Sequence, residues 1–201
     1  MSAPPLTSVR RPGARRITRR ESVLKLAVGQ GDTPVVTMHT GRTSFDVTGE
    51  PLKEQMEAFL DEHRAALHAC LGGLTEEQAR RSLVPSRTTL LGLVKHATYA
   101  ERVWFGEAVT GRPRQEMGLP PNAADAFILA DGDTIESVRH AHAEACQASR
   151  QATAGLGLDD VLRGHRLGPL PLRWVYLHAL REFAQHCGHA DILREQILSA
   201  G

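Results

Sequence analysis

One helical stretch constrains this chain more than any other: Arg173 to Glu195, RWVYLHALREFAQHCGHADILRE. No proline interrupts it, and Leu, Ala, Glu, Gln and Arg, all good helix formers, dominate it. It holds three of the ten histidines, His178, His186 and His189, with Glu182 between them. On a helix of 3.6 residues per turn, Glu182 lies about 40° round from His178, His186 about 80° and His189 about 20°. The four groups share an arc of roughly 80°. Glu182 and His186 are four apart, so their side chains project together and can chelate one divalent ion. An isolated Glu-x-x-x-His is a weak pattern that solvated helix faces also produce. His178 and His189 on the same arc, with His96 on a second strong helix, favour the metal. A catalytic site of the zinc type takes three protein ligands and keeps one position open. His96 is the candidate for the third.

The 201 residues suit one domain with some chain to spare as a tail. A net charge of +1 gives no global pull toward nucleic acid or an anionic membrane. Aromatic residues are too sparse, at 4%, for a platform that stacks single-stranded bases. No apolar run approaches the roughly 20 residues of a membrane span, and no signal-peptide core stands near the N-terminus. Cys70, Cys146 and Cys187 are scattered and form no CxxC pair. That usage fits a reducing cytoplasm, where the protein is expected to reside. Cys187 adjoins His186 but points about 100° away on a helix, as a packed thiol rather than a ligand.

Residues 1–50 differ from the rest. The first twenty hold six arginines and three prolines, with no acid before Glu21. This composition reads as disordered. It is compatible with a basic nucleic-acid arm, with an Arg-rich targeting peptide, or with an extension without function, even one from a start codon placed too far upstream; the last reading is preferred. A short strand is expected at Pro34–Thr40, with His39 exposed on it. The folded domain is expected to span 51–201. Pro51 suits a helix start, and a first long helix runs to Gly72 and Gly73. His63 and His68 ride on it as surface or packing residues. Thr75 and Gln78 form a capping box for a short helix to about Leu83.

Ser86 or Thr88 can cap the second long helix, which carries Leu90 through Trp104 and holds His96. Trp104 and Phe105 read as core or interface anchors. Residues 106–132 are too long for a simple connector and suggest a lid or binding loop. The pattern from Asp133 to Glu136 opens a third long helix to about Ala154. His140 and His142 are two apart on it, which splays them and rules out chelation. Glycines and prolines bracket a loop with His165. The Arg173–Glu195 stretch is the fourth long helix. The fold class is therefore all-α, a four-helix bundle, in which facing helices build metal sites. A di-iron bundle is the weaker rival: it needs two Glu-x-x-His helices and two further Glu, and one acid–imidazole pair at i, i+4 is visible.

Two motifs carry a family resemblance. The first is PSRTTLLGLVKH, residues 85–96, followed by ERVWF at 101–105. The second is LRWVYLH, 172–178, followed by REFAQHCGHADILRE, 181–195. Together they resemble the DinB/YfiT-like four-helix metalloproteins, in the actinobacterial-type branch similar to mycothiol-dependent maleylpyruvate isomerase. The resemblance covers about residue 51 to the C-terminus. It implies a metal held by His96, Glu182 and His186, with His178 and His189 as outer partners of the ligands or pocket lining. It also implies a divalent ion, zinc or nickel, and a low-molecular-weight thiol such as mycothiol as cosubstrate.

Two imidazoles and one carboxylate would leave a divalent ion electrophilic enough to bind a thiol as thiolate. The expected activity is metal-dependent thiol S-transfer, or thiol-dependent isomerisation, of a small electrophile. Arg173 and Arg181 are candidates to pair with an acidic group of thiol or substrate. The alternatives are a metal-dependent hydrolase and a non-catalytic, stress-associated metal-binding bundle that forms a homodimer through surfaces such as Trp104. The residues that act in catalysis are not identified by the sequence.

Overall fold

The computed structural model describes residues 42–199. The basic segment, the strand expected at Pro34–Thr40 and His39 lie outside the described residues. Four long helices carry the fold: α1 (Leu52–Ala69), α3 (Leu90–Glu101), α5 (Ile135–Thr153) and α6 (Leu172–Ser199). The short α2 (Glu76–Arg80) links α1 to α3, and α4 (Ala108–Thr110) ends the α3 arm. α1 lies along α6 and α3 along α5, while α3 also touches α6. This is the all-α bundle expected from the sequence. The strands found among the described residues form one small hairpin, β1 (Val161–Leu162) antiparallel to β2 (Leu170–Pro171), with Val161 opposite Pro171.

Each long helix buries one stripe. α6 turns Leu172, Val175, Tyr176, Ala179, Phe183, Ala190, Leu193 and Ile197 inward, a repeat of three and four residues. Near its start they meet Met56, Leu60 and Phe105; near its end they meet Leu71, Leu90 and Val94. Each fully buried Leu or Phe contributes about 1.5–3 kcal/mol relative to exposure. Upstream of Pro51 a 3₁₀ turn, Ser44–Val47, packs on α1. The Ser44 amide donates to Glu62 Oε1 at 2.8 Å and Val47 is buried. The fold therefore reaches back to Arg42, ahead of the Pro51 boundary that the sequence suggests.

Two helix starts differ from expectation. The cap of α3 is Thr89, whose hydroxyl accepts from the Gly92 amide at 3.0 Å. Ser86 and Thr88 bond to each other instead. The cap of α5 is Thr134, paired with Ser137 in a capping box. Asp133 is engaged elsewhere, accepting from Lys95 Nζ at 2.6 Å and from the Ala130 amide at 2.7 Å. The helix expected to run on through Trp104 changes character after Glu101, where Arg102–Glu107 winds as a π turn. Such turns widen a helix by one residue and are frequent at functional sites.

A buried charge cluster locks α1, α3 and α5 together. Arg64 Nε and Nη2 donate to the two carboxylate oxygens of Glu101, each at 2.7 Å. Arg64 Nη1 donates to Asp61 at 2.9 Å, and Arg150 reaches Asp61 from α5 at 2.9 Å. Glu101 is wholly buried. The two-pronged fit is the geometry that makes guanidinium–carboxylate pairs strong. Nearby, His142 is buried and stacks on His68 at 6.2 Å, with Arg139 Nε donating to His68 Nε2 at 3.1 Å. Burial, then the neighbouring basic groups His68, Arg64 and Arg150, push His142 down to about 3. Burial and Arg139 push His68 to about 4.

Two outcomes are expected. Glu101→Ala strips Arg64 of its two-pronged partner in the core, leaving it only the shared Asp61, and lowers the unfolding free energy by about 3 kcal/mol, whereas breaking the exposed Arg112–Glu116 pair costs less than about 1 kcal/mol; urea melts at neutral pH measure both. His142 and His68 stay neutral when folded but take up protons in the unfolded chain below 6.5. Their contribution to stability is full above that pH, is lost as the pH falls, and is gone near 3. Replacing His142 with the non-titrating Asn should flatten the acid side of a stability–pH curve taken from urea midpoints.

Candidate functional site

α3 and α6 bring His96, Glu182 and His186 together. His96 Nε2 lies 3.0 Å from Glu182 Oε1, and His186 Nε2 lies 4.0 Å from the same oxygen. One potential ligand atom from each of the three falls within 4.8 Å of the others. The i, i+4 spacing on α6 aims Glu182 and His186 the same way, while His96 meets them from the buried face of α3. The His96 and His186 rings meet edge to face at 4.8 Å.

The segment after the π turn closes over His96, as the length of that loop suggested. Phe127 stacks on the His96 ring at 4.2 Å, and the Ala123 carbonyl lies 3.3 Å from His96 Nδ1. A carbonyl oxygen carries no proton, so Nδ1 is the donor. In the neutral ring the lone pair then sits on Nε2, which faces a carboxylate oxygen. Two acceptors at 3.0 Å repel unless a proton or a metal cation lies between them. His186 Nδ1 is buried and has no hydrogen-bond partner. Two imidazole nitrogens and one carboxylate oxygen are the ligand types a zinc-like ion takes, so the donor set fits such an ion.

The electrostatics are consistent with this donor set. Burial opposes the charge on Glu182, but His96, His178 and His186 outweigh it and hold the carboxyl below its usual range. Burial, then His96, push His186 down to about 4; Glu182 opposes the shift and His189 adds to it. A neutral imidazole beside an ionised carboxylate is the form that binds a metal.

His178 faces the other oxygen of Glu182, its Nε2 2.8 Å from Oε2 though off the line of a good hydrogen bond. Arg181 Nη2 donates to His178 Nδ1 at 3.2 Å, which leaves the ring proton on Nε2, toward the carboxylate. His189 is exposed and meets only the edge of the cluster, its ring 5.7 Å from that of His186. Arg173 turns away to pair with Asp159.

Beside Glu182 opens a cavity of about 340 Å³. Trp104 and Trp174 bracket His178 on its wall, at 4.0 and 5.2 Å. His165 stacks on Trp104 at 4.5 Å. Arg114 binds the scene together: it donates to Glu107 at 2.6 Å and to the Tyr99 hydroxyl at 2.7 Å, and its Nη2 lies 3.3 Å from His165 Nε2. A larger cleft of about 740 Å³ shares Tyr99 but none of the three clustered residues. Sequence reading did not single out Tyr99, Arg114, Phe127, His165 or Trp174 as site residues. Trp174, four residues before His178, and Tyr99, three after His96, left a spacing signal on their helices; the others come from loops.

Gly164 is what lets the hairpin loop deliver His165. Its amide donates to the Ala108 carbonyl at 3.1 Å. A Cβ there would run into the Glu107 carbonyl oxygen and the backbone of Gly111. Gly164→Ala should therefore push the loop outward and uncover Trp104. Because the chain has two tryptophans, Trp104 and Trp174, both on this cavity, the displacement is expected as a red shift of tryptophan emission with helical circular dichroism retained.

Residues 55–198 match the family model described as mycothiol S-transferase, MST. Comparison with curated proteins yields no match. None of the described helices is long and apolar enough to cross a membrane. The match spans most of the chain and both motifs that meet at the site, so the chain belongs to the mycothiol S-transferase family, a DinB-like family.

Proposed function

We propose that the protein transfers a small-molecule thiol of the mycothiol type to a small electrophile at a metal centre formed by His96, Glu182 and His186. Family membership supports thiol S-transfer in general. The observation that carries the metal is the convergence of two imidazoles and one carboxylate, with one potential ligand atom from each of His96, Glu182 and His186 within 4.8 Å of the others. A divalent ion such as zinc or nickel held there would supply a Lewis acid that takes a thiol as its thiolate, the nucleophilic form.

The chain's own residues set up the rest. The Ala123 carbonyl and Phe127 fix the His96 ring so that Nε2 stays aimed inward. His178 Nε2 sits 2.8 Å from Glu182 Oε2, while Oε1 faces His96. Phe127 and Trp104 limit water at the reacting sulfur, which keeps a thiolate from being solvated. The adjoining cavity receives the electrophile next to Glu182. The thiol proton leaves to solvent, since His96, Glu182 and His186 would all be engaged by the metal.

Elemental mass spectrometry of the purified protein should find about one equivalent of a transition metal per chain. His96→Ala, Glu182→Ala and His186→Ala should each lose it while helical circular dichroism persists. A chelator should stop thioether formation from mycothiol and an electrophile, and zinc or nickel should restore it. His178→Ala, which touches only the outer oxygen, should weaken metal binding by roughly 10–100-fold without abolishing it. A wild-type protein that takes up no metal even when zinc or nickel is added back would sink the metal centre. Release of hydrolysed electrophile in place of a thioether would sink the transfer.

A further inference from the structure

The cavity beside Glu182 carries more positive charge than the proposed metal centre needs. Arg114 on its wall is matched by Glu107 at 2.6 Å. Arg166 and Arg181 also line it, both on the exposed rim. Among the described residues neither has a carboxylate partner; the contact given for Arg181 is with a neutral acceptor, His178 Nδ1. Glu182, the acid that faces this space, is already surrounded by His96, His178 and His186. Unpaired guanidiniums at a cavity mouth are the fork-shaped donors that bind carboxylates in two-pronged fashion. The lining is also aromatic: the Trp104 and Trp174 rings lie 5.7 Å apart, tilted by 56°, and His165 stacks on Trp104. Indole faces of this kind suit a planar ring or a conjugated chain.

From this arrangement we infer that the cavity is the subsite for the electrophile, and that the electrophile bears a carboxylate on a flat apolar or aromatic frame. The inference rests on the thiol-transfer reading. The volume, about 340 Å³, lies at the low end of small-molecule pockets and fits one ring with its acid group; a thiol carried on sugar rings, as mycothiol is, needs more. With the carboxylate held by Arg166 and Arg181 at the mouth, the frame lies along the indoles and its far end approaches Glu182 and the sulfur. For an electrophile such as 4-(chloromethyl)benzoate the step is a substitution. The thiolate sulfur forms a bond to the benzylic carbon, the carbon–chlorine bond breaks, and chloride leaves with the electron pair.

The two tryptophans report on binding without turnover, because both line the cavity. Unreactive 4-methylbenzoate should quench or shift their emission in a saturable way. The uncharged 4-methylbenzamide should bind roughly tenfold or more weakly. Arg166→Met and Arg181→Met should each weaken 4-methylbenzoate by a similar factor, and since both side chains are exposed the variants are expected to fold. In turnover with mycothiol, the wild type should prefer 4-(chloromethyl)benzoate over uncharged 4-methylbenzyl chloride in kcat/KM, and the arginine variants should lose that preference. Equal binding of the acid and the amide, or arginine variants that bind the acid as the wild type does, would overturn the inference. So would competition of mycothiol with 4-methylbenzoate for the same space, since the arginines would then serve the thiol. Saturable, arginine-dependent binding of 4-methylbenzoate with no thioether from either chloride would support the anion subsite and count against thiol transfer. Efficient conjugation of the uncharged chloride without preference for the acid would do the reverse.

Discussion

The Arg64–Glu101 pair is the interaction on which the rest of the molecule hangs. Both groups are buried, so neither can be left alone: the pairing must form for the chain to close. Forming it sets α3 against α1, and through Asp61 and Arg150 it also sets α5. It fixes a rotation as well as a distance. Glu101 lies five residues after His96 on the same helix, roughly 140° round the axis. Holding Glu101 toward α1 therefore turns His96 the other way, toward α6, where Glu182 and His186 wait. A purely apolar interface could tolerate a few degrees of roll; a two-pronged guanidinium fit tolerates less. The clamp costs desolvation of four charged groups, and its return is orientation of the His96 face of α3 as much as stability.

The site is built in two halves that come from different kinds of chain. One half is helical and periodic: His96 on α3, with His178, Glu182 and His186 on α6. That half was legible, because spacing on a helix fixes direction and because the two motifs resemble a known family. The other half is loop. Ala123, Phe127, Arg114 and His165 reach the centre from segments without period. Nothing in their spacing tells which of them meets His96 or Trp104. The sequence marked 106–132 as a candidate lid but could not say what it covers. The buried charges were equally hidden. Arg64, Asp61 and Glu101 read as ordinary polar positions on amphipathic helices until their partners on other helices are seen. His142 was illegible for the same reason, since its burial depends on α1 across from it.

The helix starts carry a smaller lesson of the same type. Ser86, Thr88 and Thr89 can all cap, and the choice of Thr89 depends on where the first buried turn of α3 begins. Asp133 was drawn off its cap by Lys95, a residue 38 positions away in the chain. Local chemistry supplied the right residue types in both places, and tertiary contacts selected among them.

The π turn at Arg102–Glu107 has a consequence for how this architecture can diversify. It amounts to one extra residue inserted into a helix whose upstream part is pinned by Glu101. Remove that residue and the winding returns to α, carrying everything downstream back through about 100°. Trp104 and the loop that follows would be re-aimed, while His96, upstream of the pin, would keep its heading. A single-codon insertion or deletion at this point is thus a genetic dial that resets the shape of the cavity and leaves the heading of His96 untouched.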